Sequence, residues 1–194
     1  MKMNLWKQLR TAVMATAVLS LLLSGFYPLA VWSIARIIFP WKANGSLIHT
    51  PNGPVGSVLI SQCFTGPGFF HSRPSAAGGG HDPLSSGGSN LGPLSKIQFE
   101  RVKTRIESFR RENRLPPGIP IPADAVTASA SGLDPHISVE NAFLQSGRVA
   151  EFRGIPGEKI AGLIARCTEN RQFGILGEKR VNVLLLNLEL EKLR

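Results

Sequence analysis

Four side chains within eight residues carry the atoms of a hydrolase: Ser129, Ser131, Asp134 and His136, in the stretch DAVTASASGLDPHIS at 124–138. A Ser-His-Asp triad needs its nucleophile presented on a sharp turn such as G-x-S-x-G, with the base and its orienting acid brought to it by the fold. No such elbow occurs here. Asp134 and His136 flank Pro135, which opens a turn, and Ser138 is placed to cap a helix, so the structural reading of the stretch outweighs the catalytic one. His71, His81, His136 and Cys63 are too irregularly spaced for a zinc framework, whose ligands come in close pairs. Cys63 and Cys167, the only cysteines, either pair or remain as two thiols.

A second candidate chemistry is phosphate binding. Ser85-Ser86-Gly87-Gly88-Ser89-Asn90 is similar to the Ser-Gly-Gly signature of transporter ATPases, since glycine backbone N–H groups suit phosphate oxygens. Ser86, Gly87, Gly88, Ser89 and Asn90 are the candidate nucleotide contacts. No G-x-x-x-x-G-K-[ST] loop accompanies them, which excludes an independent ATPase of the P-loop type. Arg73, Arg148, Arg153 and Arg180 remain as cations whose forked donors suit carboxylates and carbonyls.

The elements that must position these residues begin with an anchor. The 25 residues from Thr11 to Ala35 carry no charge, and about 20 apolar residues suffice to cross a bilayer as a helix. Their length exceeds the apolar region of a cleaved signal peptide. Lys2, Lys7 and Arg10 precede the run, which by the positive-inside rule places residues 1–10 in the cytoplasm and 36–194 outside it. Pro28 predicts a kink or a packing point, and Trp32, Phe39 and Trp41 an interfacial belt. The net charge of +9 is divided between four cations in the first 36 residues and a remainder where 18 Lys and Arg face 13 Asp and Glu. Without an aromatic-rich basic stripe, and outside the cytoplasm, that balance does not point to nucleic acid.

Beyond the anchor, SVLISQCF at 57–64 reads as a strand, and residues 67–93 as a Gly/Ser/Pro-rich arm without regular structure. Ser95-Lys-Ile-Gln98 is a capping box opening a helix with Phe99, Val102, Ile106 and Phe109 on one face. PGIPIPADAVTAS reads as extended. Ser138 caps a second helix, Pro156 starts a third, and the tail RVNVLLLNLELEKLR at 180–194 opens as a buried strand that bends into a last helical turn. The expected fold is one N-terminal transmembrane helix (11–35) followed by a small mixed α/β extracytoplasmic domain.

Several of these strings resemble one family: GFFHSRPSA at 68–76, SSGGSNLGP at 85–93, VTASASGLDPHIS at 126–138, Arg148-Val149, and Gly177-Glu178 followed by RVNVLLLNLEL. Together with the anchor they are similar to the C subunit of the bacterial Kdp potassium-transporting ATPase, over nearly the whole chain. Ser72 stands where the family commonly has Gly, and Leu94-Ser95-Lys96 where it commonly has Ser-Asn-Pro. The resemblance implies a plasma-membrane complex with a potassium-channel-like subunit, a P-type ATPase subunit and a small single-span subunit. It implies an assembly component and catalytic chaperone that raises the ATP affinity of the hydrolysing subunit, binds no cofactor of its own, and carries its domain on the side from which potassium enters. In that setting His71, Arg73, Pro74, Thr127, Ser129, Ser131, Gly132, Asp134, His136, Arg148 and Arg180 are the candidate partner contacts. Ala12, Ala15, Ser20, Ser24 and Gly25 form the candidate helix-packing face. The alternative is an anchored extracytoplasmic protein that binds a nucleotide or another ligand.

Overall fold

The structure, a computed structural model, describes residues 4–51 and 53–193; Lys2, part of the basic flank, lies outside them. The chain forms two compact units that divide between Val55 and Gly56.

The first unit is dominated by a helix over Leu5–Ile38, the one segment among the described residues long and apolar enough to cross a membrane. It consists of α1 (Leu5–Ser20), a π-helical segment (Leu21–Phe26) and α2 (Tyr27–Ile38). At ~1.5 Å per residue its 34 residues exceed the ~30 Å hydrocarbon thickness, so a tilt or a protruding end accommodates it. The π segment lies just before Pro28. Proline has no N–H and its ring collides with the carbonyl four residues back, and widening the preceding turn relieves both. Tyr27 N–H accordingly donates to Leu22, five residues back. After the helix come a short α3 (Pro40–Ala43) and the two-stranded sheet of β1 (Leu47–Thr50) and β2 (Gly53–Ser57), whose second strand runs into the second unit.

The second unit contains α4 (Lys96–Glu112), α5 (Ala123–Val126), β3 (His136–Ser138), α6 (Val139–Arg153), α7 (Gly157–Cys167), β4 (Thr168–Glu169), β5 (Arg180–Asn182) and α8 (Val183–Glu191). Its sheet is antiparallel in the order β3-β5-β4, with Ile137 opposite Val181 and Thr168 opposite the same residue. Helix α7 packs on both α6 and α8, and all three pack on β5. The core lies between them and holds Phe70, Ile137, Val149, Ile160, Ile164, Val181 and Leu186, each at most 2 % exposed. Full burial of side chains of this size is worth about 1.5–3 kcal/mol apiece.

Three sequence expectations change. Of residues 57–64 Ser57 alone is strand, the last residue of β2, because its Oγ accepts from Leu59 N (3.1 Å) and closes a turn there. Ser61 N donating to Leu133 O (2.9 Å), the Asn182 side chain on Val58 O (2.8 Å) and Ser72 Oγ on Gln62 O (2.8 Å) are among the bonds that hold that segment. The extended reading of 117–129 is interrupted by α5. At the C-terminal end the strand is only Arg180–Asn182 and the rest is α8, which starts because Asn182 Oδ1 caps Leu185 N (3.1 Å). Burial on several sides removes the polar stripe that separates helix from strand in a sequence. Ser138 caps α6 as expected, accepting from Asn141 N (3.1 Å), and Ser95 accepts from Gln98 N (3.4 Å). The return half of the capping box is not made: Gln98 Oε1 is buried without a partner.

Candidate partner-docking site

The two motif-bearing loops, 75–90 and 126–136, are packed on each other. Ser131 O accepts from both Gly87 N (2.9 Å) and Ser86 Oγ (2.9 Å), and Ser75 Oγ donates to Gly132 O (2.7 Å) while accepting from Ala77 N and His81 N. Gly132 adopts φ +70°, and a Cβ there would stand 2.7 Å from Ala77 N and from Gly87 O. At Gly88 a Cβ would stand 2.8 Å from Ala130 O. Small residues are thus required on both sides because backbone meets backbone. Ser129 is buried, Thr127, Pro74 and Ser89 are half-buried, and Ser131, Ser86 and Asn90 remain exposed on the joint surface. Asn90 has φ +50°, a conformation asparagine tolerates.

Charged groups run beside this pair of loops. Arg73 Nη1 donates to Asp134 Oδ2 (2.9 Å), His136 N donates to Asp134 Oδ1 (3.0 Å), and His136 Nδ1 lies 3.4 Å from the same oxygen. His136 Nε2 lies 3.7 Å from Glu169, which accepts from Arg180 Nε (2.9 Å). The antiparallel register places Arg180 opposite Glu169 and Ser138, so the small sheet itself aligns this alternating series. Both ring nitrogens of His136 therefore face carboxylates rather than Ser129 or Ser131, and the Ser131 hydroxyl accepts from Leu133 N (3.1 Å). The triad atoms are close in sequence but are not arranged as nucleophile and base.

Burial pushes the Asp134 carboxyl up, but the hydrogen bonds from the His136 ring and backbone and the Arg73 charge outweigh it and hold the group at about 2, against an ordinary 3.8. A folded-state value below the unfolded one stabilises above about pH 4, and that stabilisation is lost as pH falls toward 2. It is worth roughly 2 kcal/mol. Thermal unfolding of the full chain in detergent should show Asp134→Asn less stable than wild type at pH 6, with the gap closing near pH 2. A gap independent of pH would contradict the arrangement.

Beneath the loops the arm is clamped. Arg148 is 8 % exposed and donates from Nη1 to Pro67 O (2.6 Å) and Phe69 O (2.9 Å), from Nε to Asn113 Oδ1 (3.0 Å) and from Nη2 to Gln145 Oε1 (3.0 Å). Asn187 exchanges two bonds with the backbone of Phe70 (both 2.9 Å), and Gln145 does the same with His71 (2.7 and 3.1 Å). Two buried amides thus replace a neighbouring strand for residues 70–71. The His71 ring spans Gly66 O (2.9 Å) and Glu112 (2.7 Å); its hydrogen bond lowers the Glu112 carboxyl, against burial. Ser72 Oγ donates to Gln62 O (2.8 Å), an anchoring bond glycine lacks. Asp124 accepts from Ser138 N (2.8 Å), Ser138 Oγ (2.9 Å) and Asn141 Nδ2 (2.9 Å), tying α5 to the start of α6.

The candidate contacts thus fall into two sets. Arg148 lies inside the unit and holds the arm. Ser131, with Arg73, Asp134, His136 and Arg180 half-buried around it, reaches the surface. Sequence reasoning missed Asp124, Asn141, Gln145, Glu169 and Asn187. Asn187 alone had a legible signal, as a polar residue inside the apolar run VLLLNLEL. Cys63 and Cys167 are unpaired; Cys63 is exposed, and burial raises the half-buried Cys167 thiol.

Residues 9–192 match the family described as "K+-transporting ATPase, c chain". The potassium-transporting ATPase KdpC subunit of Koribacter versatilis is 49 % identical over 185 residues, 95 % of this chain and 94 % of the relative. That of Myxococcus xanthus is 51 % identical over 179 residues, covering 91 % and 84 %. That of Rhodospirillum rubrum is 47 % identical over 186 residues, 96 % of each. The strings that pack the two loops together and all but the first turn of the helix that precedes them therefore lie within one match, and the chain belongs to the KdpC family of potassium-transporting ATPase subunits.

Proposed function

We propose that this chain is a non-catalytic accessory subunit of a high-affinity, ATP-driven potassium uptake complex in the plasma membrane. It crosses the membrane once with its N-terminus in the cytoplasm and holds its second unit on the outer side. The observation that carries this reading is the family match over residues 9–192, which includes both the span and the packed loops. Its partners are a potassium-channel-like subunit, a P-type ATPase subunit and a small single-span subunit. The surface around Ser131, Arg73 and His136 docks on the channel-like partner, and the span packs through its small residues.

The chain acts as a catalytic chaperone that raises the ATP affinity of the hydrolysing subunit without touching the nucleotide. Two features favour indirect action. The Gly87 amide, which a phosphate cradle would need free, is engaged by Ser131 O, and a side chain at Gly88 would meet Ala130 O. An outer unit acts on a cytoplasmic site only through its span and its partners' conformational equilibrium. The test is recovery of the tagged full chain from gently solubilised membranes of potassium-starved cells. Co-recovery of a channel-like subunit and a P-type ATPase in near-equal amounts is expected. The chain recovered alone would return the anchored binding protein to first place.

A further inference from the structure

The connection between β4 and β5 is a tight hairpin over residues 170–179. Gln172 and Leu176 exchange two backbone bonds (2.9 Å each), and Ile175 N donates to Gln172 O (3.2 Å) across the tip. At that tip Phe173 is 91 % exposed, Ile175 76 % and Leu176 55 %, so three large apolar side chains within four residues face outward on a braced backbone. Phe173 and Gly174 both have positive φ, +53° and +78°. Turns of this kind favour Asn-Gly or Asp-Gly, and an aromatic residue in the left-handed region is strained. Folding gains nothing from Phe at this position: the ring touches solvent and the backbone would be relaxed by Asn. Strain retained with an exposed aromatic marks a contact made elsewhere.

The charges at the base of the hairpin indicate what kind of contact. Arg171 is paired with Glu178, and Arg180 with Glu169 (2.9 Å), while Lys179 has no ion-pair partner among the described residues. An anionic lipid surface selects unpaired cations around an apolar tip. A collar of two closed ion pairs and a single free lysine around an aromatic anchor matches instead the centre and polar rim of a protein interface. Resting on the accessory-subunit reading above, we propose that the 170–179 hairpin is a plug. Phe173, Ile175 and Leu176 seat in an apolar socket on another subunit of the complex, a socket with an uncharged floor and a carboxylate at its rim for Lys179.

The test uses the assembled complex in membranes, with a benzophenone amino acid in place of Phe173. Light should join the chain to another subunit of the complex. Attachment to lipid alone, to a second copy of this chain, or to nothing would overturn the proposal. Phe173→Asn separates docking from folding, because Asn suits the positive φ. Its thermal unfolding should match or exceed wild type, while its affinity for the remaining subunits falls about 30-fold, the loss expected for an interface hot spot. Equal co-purification of variant and wild type would overturn the plug and leave the accessory-subunit reading standing. A wild-type chain that co-purifies with no subunit would overturn both.

Discussion

Gly132→Val should separate the two motif loops and abolish attachment of this chain to the complex. The backbone at Gly132 has φ +70°, where a β-branched residue is strained by about 1–2 kcal/mol. Its Cβ would meet Ala77 N and Gly87 O at 2.7 Å, and both are backbone atoms that cannot rotate away. Overpacking of that kind costs typically about 1–3 kcal/mol more. Adding the two gives roughly 2–5 kcal/mol, or a melting temperature lower by about 10 °C in a chain of this size. The Ser131 O contacts with Gly87 N and Ser86 Oγ would open with it, and with them the exposed surface. Gly147→Ala in α6 is the control. It has open space around it, and a helix-interior alanine should stabilise by about 0.5–1 kcal/mol. Thermal unfolding of the detergent-solubilised full chain reads both. A Gly132→Val chain that melts and assembles like wild type would refute the backbone-to-backbone packing.

Arg148→Met should be at least as damaging, although it removes a charge from the interior and keeps a long apolar stem. Four oxygens, of Pro67, Phe69, Asn113 and Gln145, take their bonds from this one guanidinium. Gln145 Oε1 keeps its bond from His71 N and Pro67 lies at the surface, so Phe69 O and Asn113 Oδ1 are the acceptors left without a donor. At about 1–3 kcal/mol each, a loss of about 2–6 kcal/mol is expected, a large share of the roughly 5–15 kcal/mol that holds a typical domain. Arg148→Lys should recover little of it, because one ammonium cannot reach all four oxygens that the planar fork spans. Protease resistance of the arm around Phe70 is the sensitive readout: the core stays apolar, and the arm should be cut first. A Lys variant as stable as wild type would show that the charge alone, not the fork, holds the arm.

How much of this was legible in the sequence differed from element to element. The span followed from an uncharged run, and α4 and α6 from Ser95 and Ser138, since those signals are local. The arm's Gly, Ser and Pro content marks it as irregular, which it is, but gives no sign that it is structural. Phe70 is fully buried because Asn187, over a hundred positions away, and Gln145 supply its neighbourhood with hydrogen bonds, and no local pattern encodes such a pairing. The α8 residues carry a strand-like pattern because helix periodicity vanishes when several faces are covered. Of the site, the strings SGGSN and TASASGLDPH were visible as unusual. What the sequence withheld was that each is the other's reason for being small, since close approach between loops about 45 positions apart is a property of the fold.

The most direct measurement is the ATP dependence of hydrolysis by the purified complex with this chain present and with it removed. If the chain raises ATP affinity through its partners, removal should increase the half-saturating ATP concentration by about 5- to 150-fold, the usual range of coupling between distant sites. An unchanged half-saturating concentration, in a complex that otherwise remains assembled and active, would contradict the chaperone role and leave assembly as the chain's contribution.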